Sequence, residues 1–132
     1  MKQIDWNIER EFSTEIDKRN FEDLIVNSLK IFNVKDFLLE INIVSNTKIQ
    51  ALNLQYREID KPTDVLSFPQ IRLAKQKSLF LGSLVISPIM VDEKAETMED
   101  VINHGLLHLL GYDHETDEQS WQEAAKSINC NL

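Results

Sequence analysis

All three histidines of the chain fall in one stretch, residues 101–118, VINHGLLHLLGYDHETDE. His104 and His108 are four apart, so a helix would stack them on one face. Gly111 follows three residues after His108, and glycine is a poor helix-interior residue but a favoured left-handed residue at a helix C-terminus. A helix ending there would turn the chain back and let His114 reach the same point in space. Three converging imidazoles that leave a fourth position open suit a catalytic zinc site rather than a closed structural one. His104, His108 and His114 are therefore the predicted ligands of one Zn²⁺ per chain.

Zinc peptidases with the extended H-E-x-x-H-x-x-G-x-x-H pattern share this interval of histidines and glycine. Here the residue after the first histidine is Gly105, where those enzymes carry the glutamate that acts as general base. No methionine follows His114, so their Met-turn is missing too. The spacing predicts a shared metal geometry without the peptidase base. Cys130 is the only cysteine, which excludes an internal disulfide. As a fourth ligand it would close the site, and the reading here leaves it inert.

The elements that must position these residues follow from periodicity. Ile4, Trp6 and Ile8 alternate along a first strand within Met1–Glu9. Ser13 or Thr14 is the predicted cap of a helix whose inner face is Phe21, Leu24, Ile25, Ser28, Leu29 and Phe32. Phe37–Val44 reads as a second strand. Ser45 or Asn46 caps the next helix, with Ile49, Leu52 and Tyr56 on its inner face and Pro62 marking its limit. Val65–Phe68 is a short strand stopped by Pro69, and residues 70–78 a polar loop carrying Arg72, Lys75 and Lys77. Leu79–Ser87 is nearly all apolar, as a strand covered on both faces would be. Pro88 opens a short helical turn. Thr97 with Asp100 resembles a capping box for the histidine helix, whose Met98, Val101, Ile102 and Leu109 face the core. Thr116 with Gln119 is a second such box, before a last helix that buries Trp121, Ala124, Ala125 and Ile128.

At 132 residues the chain has the size of one domain, 1–132, with a single core. No secretory signal pattern or bilayer-length apolar run is visible, so a cytoplasmic protein without membrane association is expected. Residues 1–91 hold 12 acidic and 12 basic residues, whereas residues 92–132 hold 10 acidic and 2 basic ones and so carry the whole net charge of −8. A polyanion would be repelled by the C-terminal part and could approach only through a local basic surface. Composition alone thus argues against a nucleic-acid binder.

The motifs argue otherwise. The run Leu52–Pro69, LNLQYREIDKPTDVLSFP, together with HGLLHLLGYDH closely resembles the bacterial YbeY family of metal-dependent endoribonucleases, over about residues 42–123. The resemblance implies an α+β fold, with a mixed four-stranded sheet packed with helices and a zincin-like histidine helix. It also implies one bound zinc, cleavage of single-stranded RNA, a role in maturing the 3′ end of small-subunit (16S) ribosomal RNA and in ribosome quality control, and so ribosomal RNA and ribosome-associated proteins as partners. The chain departs from the family where Ser83 replaces the aspartate of LGD, and its segment before the histidine helix is short.

Arg57 is the catalytic candidate beside the metal ligands. The family pattern points to it, its planar fork suits a phosphate, and it stays charged. Its alternative is an ion pair with Asp60 or Asp64. No residue stands out as general base, although Asp113 or Glu115 could assist, and Asp113 could instead support a histidine N–H. Thr63, Asp64 and Ser67 are expected to brace their loop, and Asn53 to bond backbone. Tyr56 and Phe68 could stack on a base, with core packing as the other reading. Two further functions stay open: a zinc peptidase, which Gly105 disfavours, and a ribosome-associated protein with structural zinc.

Overall fold

The computed structural model describes residues 1–70 and 79–132. The predicted loop cations Arg72, Lys75 and Lys77 lie outside the described residues. Four strands, β1 (Lys2–Ile8), β2 (Phe37–Ile43), β3 (Val65–Pro69) and β4 (Phe80–Ile86), form one sheet in the order β1-β2-β4-β3. β1, β2 and β4 are parallel, and β3 runs antiparallel to β4 along the sheet edge. The described residues also form five α-helices: α1 (Lys18–Ile31), α2 (Asn46–Arg57), α3 (Pro88–Glu93), α4 (Met98–Leu109) and α5 (Glu118–Ser127), the last of which packs on α4. This is the α+β fold with a mixed four-stranded sheet that the sequence predicts. No helix is long and apolar enough to cross a membrane among the described residues.

The sheet separates two apolar layers. On one face α1 and α4 pack through Ile25, Leu29, Val101, Ile102 and Leu106 onto Leu39, Ile41, Leu84 and Ile86. On the other, α2 sets Ile49 on Val44, Leu66 and Val85. β4 is therefore covered on both sides, which is why it reads as a continuous apolar run. A register shift where β4 meets β2 at Leu38/Leu39 puts Leu81 on the same side as Leu84 and Ile86. Gly82 sits at that shift with φ +138°, and a Cβ there would meet the Phe68 carbonyl oxygen of β3.

Several helix starts match the sequence reading: Ser45, Ser87 and Thr97 accept from the amides three residues on. Two do not. Ser13 instead closes a short 3-10 turn, donating to the Arg10 carbonyl at 2.9 Å, and α1 starts later with Asp17 as its cap. Likewise Asp117, not Thr116, caps α5, holding both the amide and the hydroxyl of Ser120. At α5 a carboxylate, a stronger acceptor than a hydroxyl, has displaced the neighbouring Thr; at α1 the intervening 3-10 turn takes Ser13 out of reach. Asn46 does not cap α2; its side-chain oxygen accepts from the Ser87 hydroxyl and so links the starts of α2 and α3.

Candidate functional site

α4 carries two of the three histidines on one face, and its end redirects the third. Gly111, at φ +98°, donates to the His108 carbonyl at 3.0 Å, while the Tyr112 amide donates to the Leu107 carbonyl at 2.9 Å. That crossed pair of bonds is a Schellman termination, which needs a left-handed residue at this point. The chain then turns back toward the helix, bringing His114 beside it.

The three rings surround one side chain. Trp121 of α5 lies 4.9 Å from His104, 4.9 Å from His108 and 5.4 Å from His114, centre to centre. The indole is buried, so α5 provides an apolar floor beneath the imidazoles. The Nε2 atoms of His104 and His108 stand 3.2 Å apart. His114 is equidistant from both rings, at 6.2 and 6.1 Å between centres. Tetrahedral bonds of about 2.0–2.1 Å would put two ligand nitrogens about 3.3 Å apart and their ring centres about 5 Å apart. The α4 pair has that spacing, with its centres 4.8 Å apart, whereas the His114 ring stands about 1 Å outside it. Among the described residues, accordingly, no three His, Cys, Asp or Glu side chains stand close enough together to hold a metal ion as they are placed. The His114 side chain is about half exposed, so it has room to rotate inward.

Protonation favours the same use. Burial first, then the charge of His108, pushes His104 down to about 4, and burial likewise lowers His108 against the opposing pull of Asp113. At neutral pH both rings are uncharged and present lone pairs. The donor set thus fits a borderline cation such as Zn²⁺. Cys130 does not join it, because its sulfur lies 3.5 Å from the Asp100 carbonyl, at the opposite end of α4.

A cleft of about 810 Å³ opens over this face, with the three histidines, Arg57, Tyr56, Phe68 and Lys94 among its walls. Arg57 is the last residue of α2, which stops at Glu58 in a left-handed conformation (φ 60°). Among the described residues Arg57 pairs with neither Asp60 nor Asp64, and its charge reaches His108. Of the two carboxylates that could have paired with Arg57, Asp64 is taken by Lys94 at 3.5 Å and Asp60 accepts from Gln50 at 3.0 Å.

The residues around Arg57 hold the wall in place. Asp64 accepts from its neighbour's hydroxyl, Thr63, at 3.1 Å and from the Val65 amide at 2.8 Å. Asn53 donates to the Lys61 carbonyl at 2.9 Å. Ser67 donates to the Gly105 carbonyl at 3.3 Å, which joins β3 to α4. A Cβ on Gly105 would lie 2.7 Å from a Leu84 methyl. Any side chain there would have to push the tip of the buried Leu84 side chain aside, so the absence of the peptidase base also suits the close packing of α4 on the sheet. Ser83 donates to Glu40 of β2 at 3.2 Å, so the carboxylate at this point of the sheet comes from the neighbouring strand. Asp113 accepts the Glu115 amide at 2.9 Å, and at 3.9 Å from His114 Nδ1 it makes no hydrogen bond to it.

Sequence reasoning missed one cluster altogether. Glu96 hydrogen-bonds Asp64, and the two carboxyls shift in opposite directions. Burial and the Asp64 contact raise Glu96 to about 7. Asp64 is lowered although burial, its largest influence, opposes this; the hydrogen bond from Glu96 and the charge of Lys94 prevail. Of the two carboxyls, Glu96 is thus the one held nearer to protonation at neutral pH. Nothing in the local pattern around Glu96 marks it as the partner of Asp64. Tyr56 also departs from expectation, being 59% exposed rather than packed inward.

Comparison with known proteins points one way. Residues 5–128 match the family model described as Endoribonuclease YbeY. The endoribonuclease YbeY of Aliarcobacter butzleri is 46% identical over 114 residues, covering 77% of this chain and 81% of that protein. Its counterpart in a Sulfurihydrogenibium species is 39% identical over 116 residues, covering 82% and 76%. The solution structure of TM1509 from Thermotoga maritima aligns with a TM-score of 0.61 at 29% identity, covering 95% of this chain and 86% of that one.

Proposed function

The chain belongs to the YbeY endoribonuclease family, and from that membership we propose that it hydrolyses phosphodiesters of single-stranded RNA with one zinc ion held by His104, His108 and His114. We place its action in 3′-end maturation of small-subunit ribosomal RNA and in ribosome quality control, in the cytoplasm, with ribosomal RNA and ribosome-associated proteins as partners. The observation that carries the metal reading is the 3.2 Å separation of the His104 and His108 Nε2 atoms, with the His114 ring equidistant from both.

When bound, zinc supplies a Lewis acid for a phosphoryl oxygen and lowers the pKa of a water toward neutrality. The chain's own residues do the rest. Burial keeps His104 and His108 uncharged, so their nitrogens are free to bind. Trp121, buried against all three rings, excludes water from beneath them. Arg57, free of a carboxylate partner, holds two non-bridging phosphate oxygens and offsets the charge that develops on them. Asp64 and Asn53 fix the loop that follows Arg57.

Two other functions fit less well. A peptidase would need a carboxylate where this chain has Gly105, and a Cβ there would crowd Leu84. A closed structural zinc would need a fourth ligand, and the Cys130 sulfur is at the far end of α4. The test is metal content and RNA cleavage measured together. His108→Ala should lose stoichiometric zinc and cleavage, and chelation should abolish cutting by the intact chain. Retained zinc in His108→Ala would refute the ligand set. Chelator-sensitive casein cleavage with RNA left intact would refute the ribonuclease reading.

A further inference from the structure

We propose that Tyr56, braced by Phe68, is the platform on which one unpaired base of the RNA stacks, next to the phosphate held by Arg57. The proposal rests on the ribonuclease reading and adds the part of the substrate that the histidines and Arg57 do not address.

Tyr56 lies in the last turn of α2, yet it is turned outward and 59% exposed, the most exposed aromatic among the large hydrophobic side chains on the surface. An exposed aromatic on its own means little. This one is held in place. Phe68 of β3 meets it edge to face, with centres 5.1 Å apart and planes at 69°. Phe68 in turn packs against the cluster of Val44, Ile49, Leu66 and Val85. The ring plane of Tyr56 is therefore supported from the core, and its exposure remains toward the cleft.

Its position gives the exposed ring a use. Tyr56 and Arg57 are consecutive, and both line the cleft that the histidines line. The edge strand β3 touches both sides of this arrangement, Phe68 meeting Tyr56 and Ser67 bonding Gly105 of α4. A strand of RNA crossing that edge would place one phosphate at Arg57 and the adjoining base at Tyr56. Stacking on an aromatic ring requires a base free of its own stack and partner. In a duplex the base faces are already covered and its edge is paired. Tyr56 would thus select single strands without reading sequence, since every base has a π face.

The experiment uses the full metal-loaded chain and a single-stranded oligoribonucleotide carrying 2-aminopurine, mixed rapidly so that binding is read before cutting, followed by steady-state kinetics. Wild type and Tyr56→Phe should quench the probe on mixing. Tyr56→Ala and Tyr56→Leu should lose the quench and raise KM about tenfold or more, with kcat kept within about threefold. Leucine can still cover Phe68, so a loss shared by both variants reports the missing ring face rather than a packing defect. Unchanged KM and quench in both variants, with wild type active, would overturn the stacking role alone and leave Tyr56 as a protein contact. A wild-type chain that neither binds nor cuts the RNA would overturn the ribonuclease reading together with it.

Discussion

Gly105→Ala would test how tightly the histidine helix is held against the sheet. The new methyl carbon would fall 2.7 Å from Leu84 Cδ2 and 3.3 Å from Cδ1, where carbon atoms rest at about 3.5–4.0 Å. Leu84 is fully buried on the central strand β4, so it cannot swing into solvent. Either its side chain or α4 must yield by close to 1 Å. Overpacking of this kind costs about 1–3 kcal/mol, and replacing glycine within a helix returns about 1 kcal/mol. The net should be a loss near 1 kcal/mol and a fall in Tm of about 3–5 °C. Activity should suffer more, because a shift of about 1 Å in α4 moves the histidines relative to Arg57, and misplacement on that scale costs up to about 100-fold in rate. Thermal melting and RNA-cleavage kinetics on the single variant, then on Gly105→Ala combined with Leu84→Val, separate the two effects. Removing the Leu84 δ-carbons should relieve the strain, giving a favourable coupling of about 0.5–3 kcal/mol. A Gly105→Ala chain as stable and as active as wild type, or strict additivity in the double variant, would refute the close-packing argument.

Two further outcomes follow from the same cleft. Arg57→Ala should keep its zinc and its Tm, since Arg57 has no ion-pair partner among the described residues, yet lose about 100- to 1000-fold in RNA cleavage; unchanged turnover would remove Arg57 from the chemistry. Glu96 is raised from its ordinary 4.5 to about 7, so between those values the folded protein holds a proton that the unfolded chain releases. Stability should therefore fall as pH climbs from about 4.5 through about 7. Glu96→Gln, which keeps a donor for Asp64 and removes the charge, should flatten that fall and gain stability at pH 8 but little at pH 5; chemical denaturation at both pH values checks it, and equal slopes would contradict the raised Glu96 carboxyl.

Much of the site's local framework was legible because short-range rules govern it. The histidine spacing, Gly111 and the Thr97 cap each depend on neighbours within a turn, and the structure realises the helix and its left-handed end as those residues imply. What could not be read depends on distant partners. Trp121 announced itself only as an apolar residue at helical spacing, and nothing local says that its ring faces three imidazoles. Tyr56 has the spacing of an inward residue, but Asn53 takes the buried place and bonds Lys61, leaving the tyrosine outside. Glu96 reads as one more acid in an acidic segment until Asp64, thirty-two positions earlier, is folded against it. The cap at Asp17 was missed for a different reason: Ser13 fits the same rule, and only the intervening 3-10 turn decides between them.

The indole beneath the histidines also orders events in time. Synthesis delivers the N-terminal parts of a chain first, so the sheet edge with Tyr56 and Arg57 exists long before residues 118–127 have been made. Until α5 has emerged and docked, the imidazoles of α4 have nothing to lean on. In a nascent chain the three rings therefore cannot take up this arrangement before residues 118–127 have followed α4 and docked.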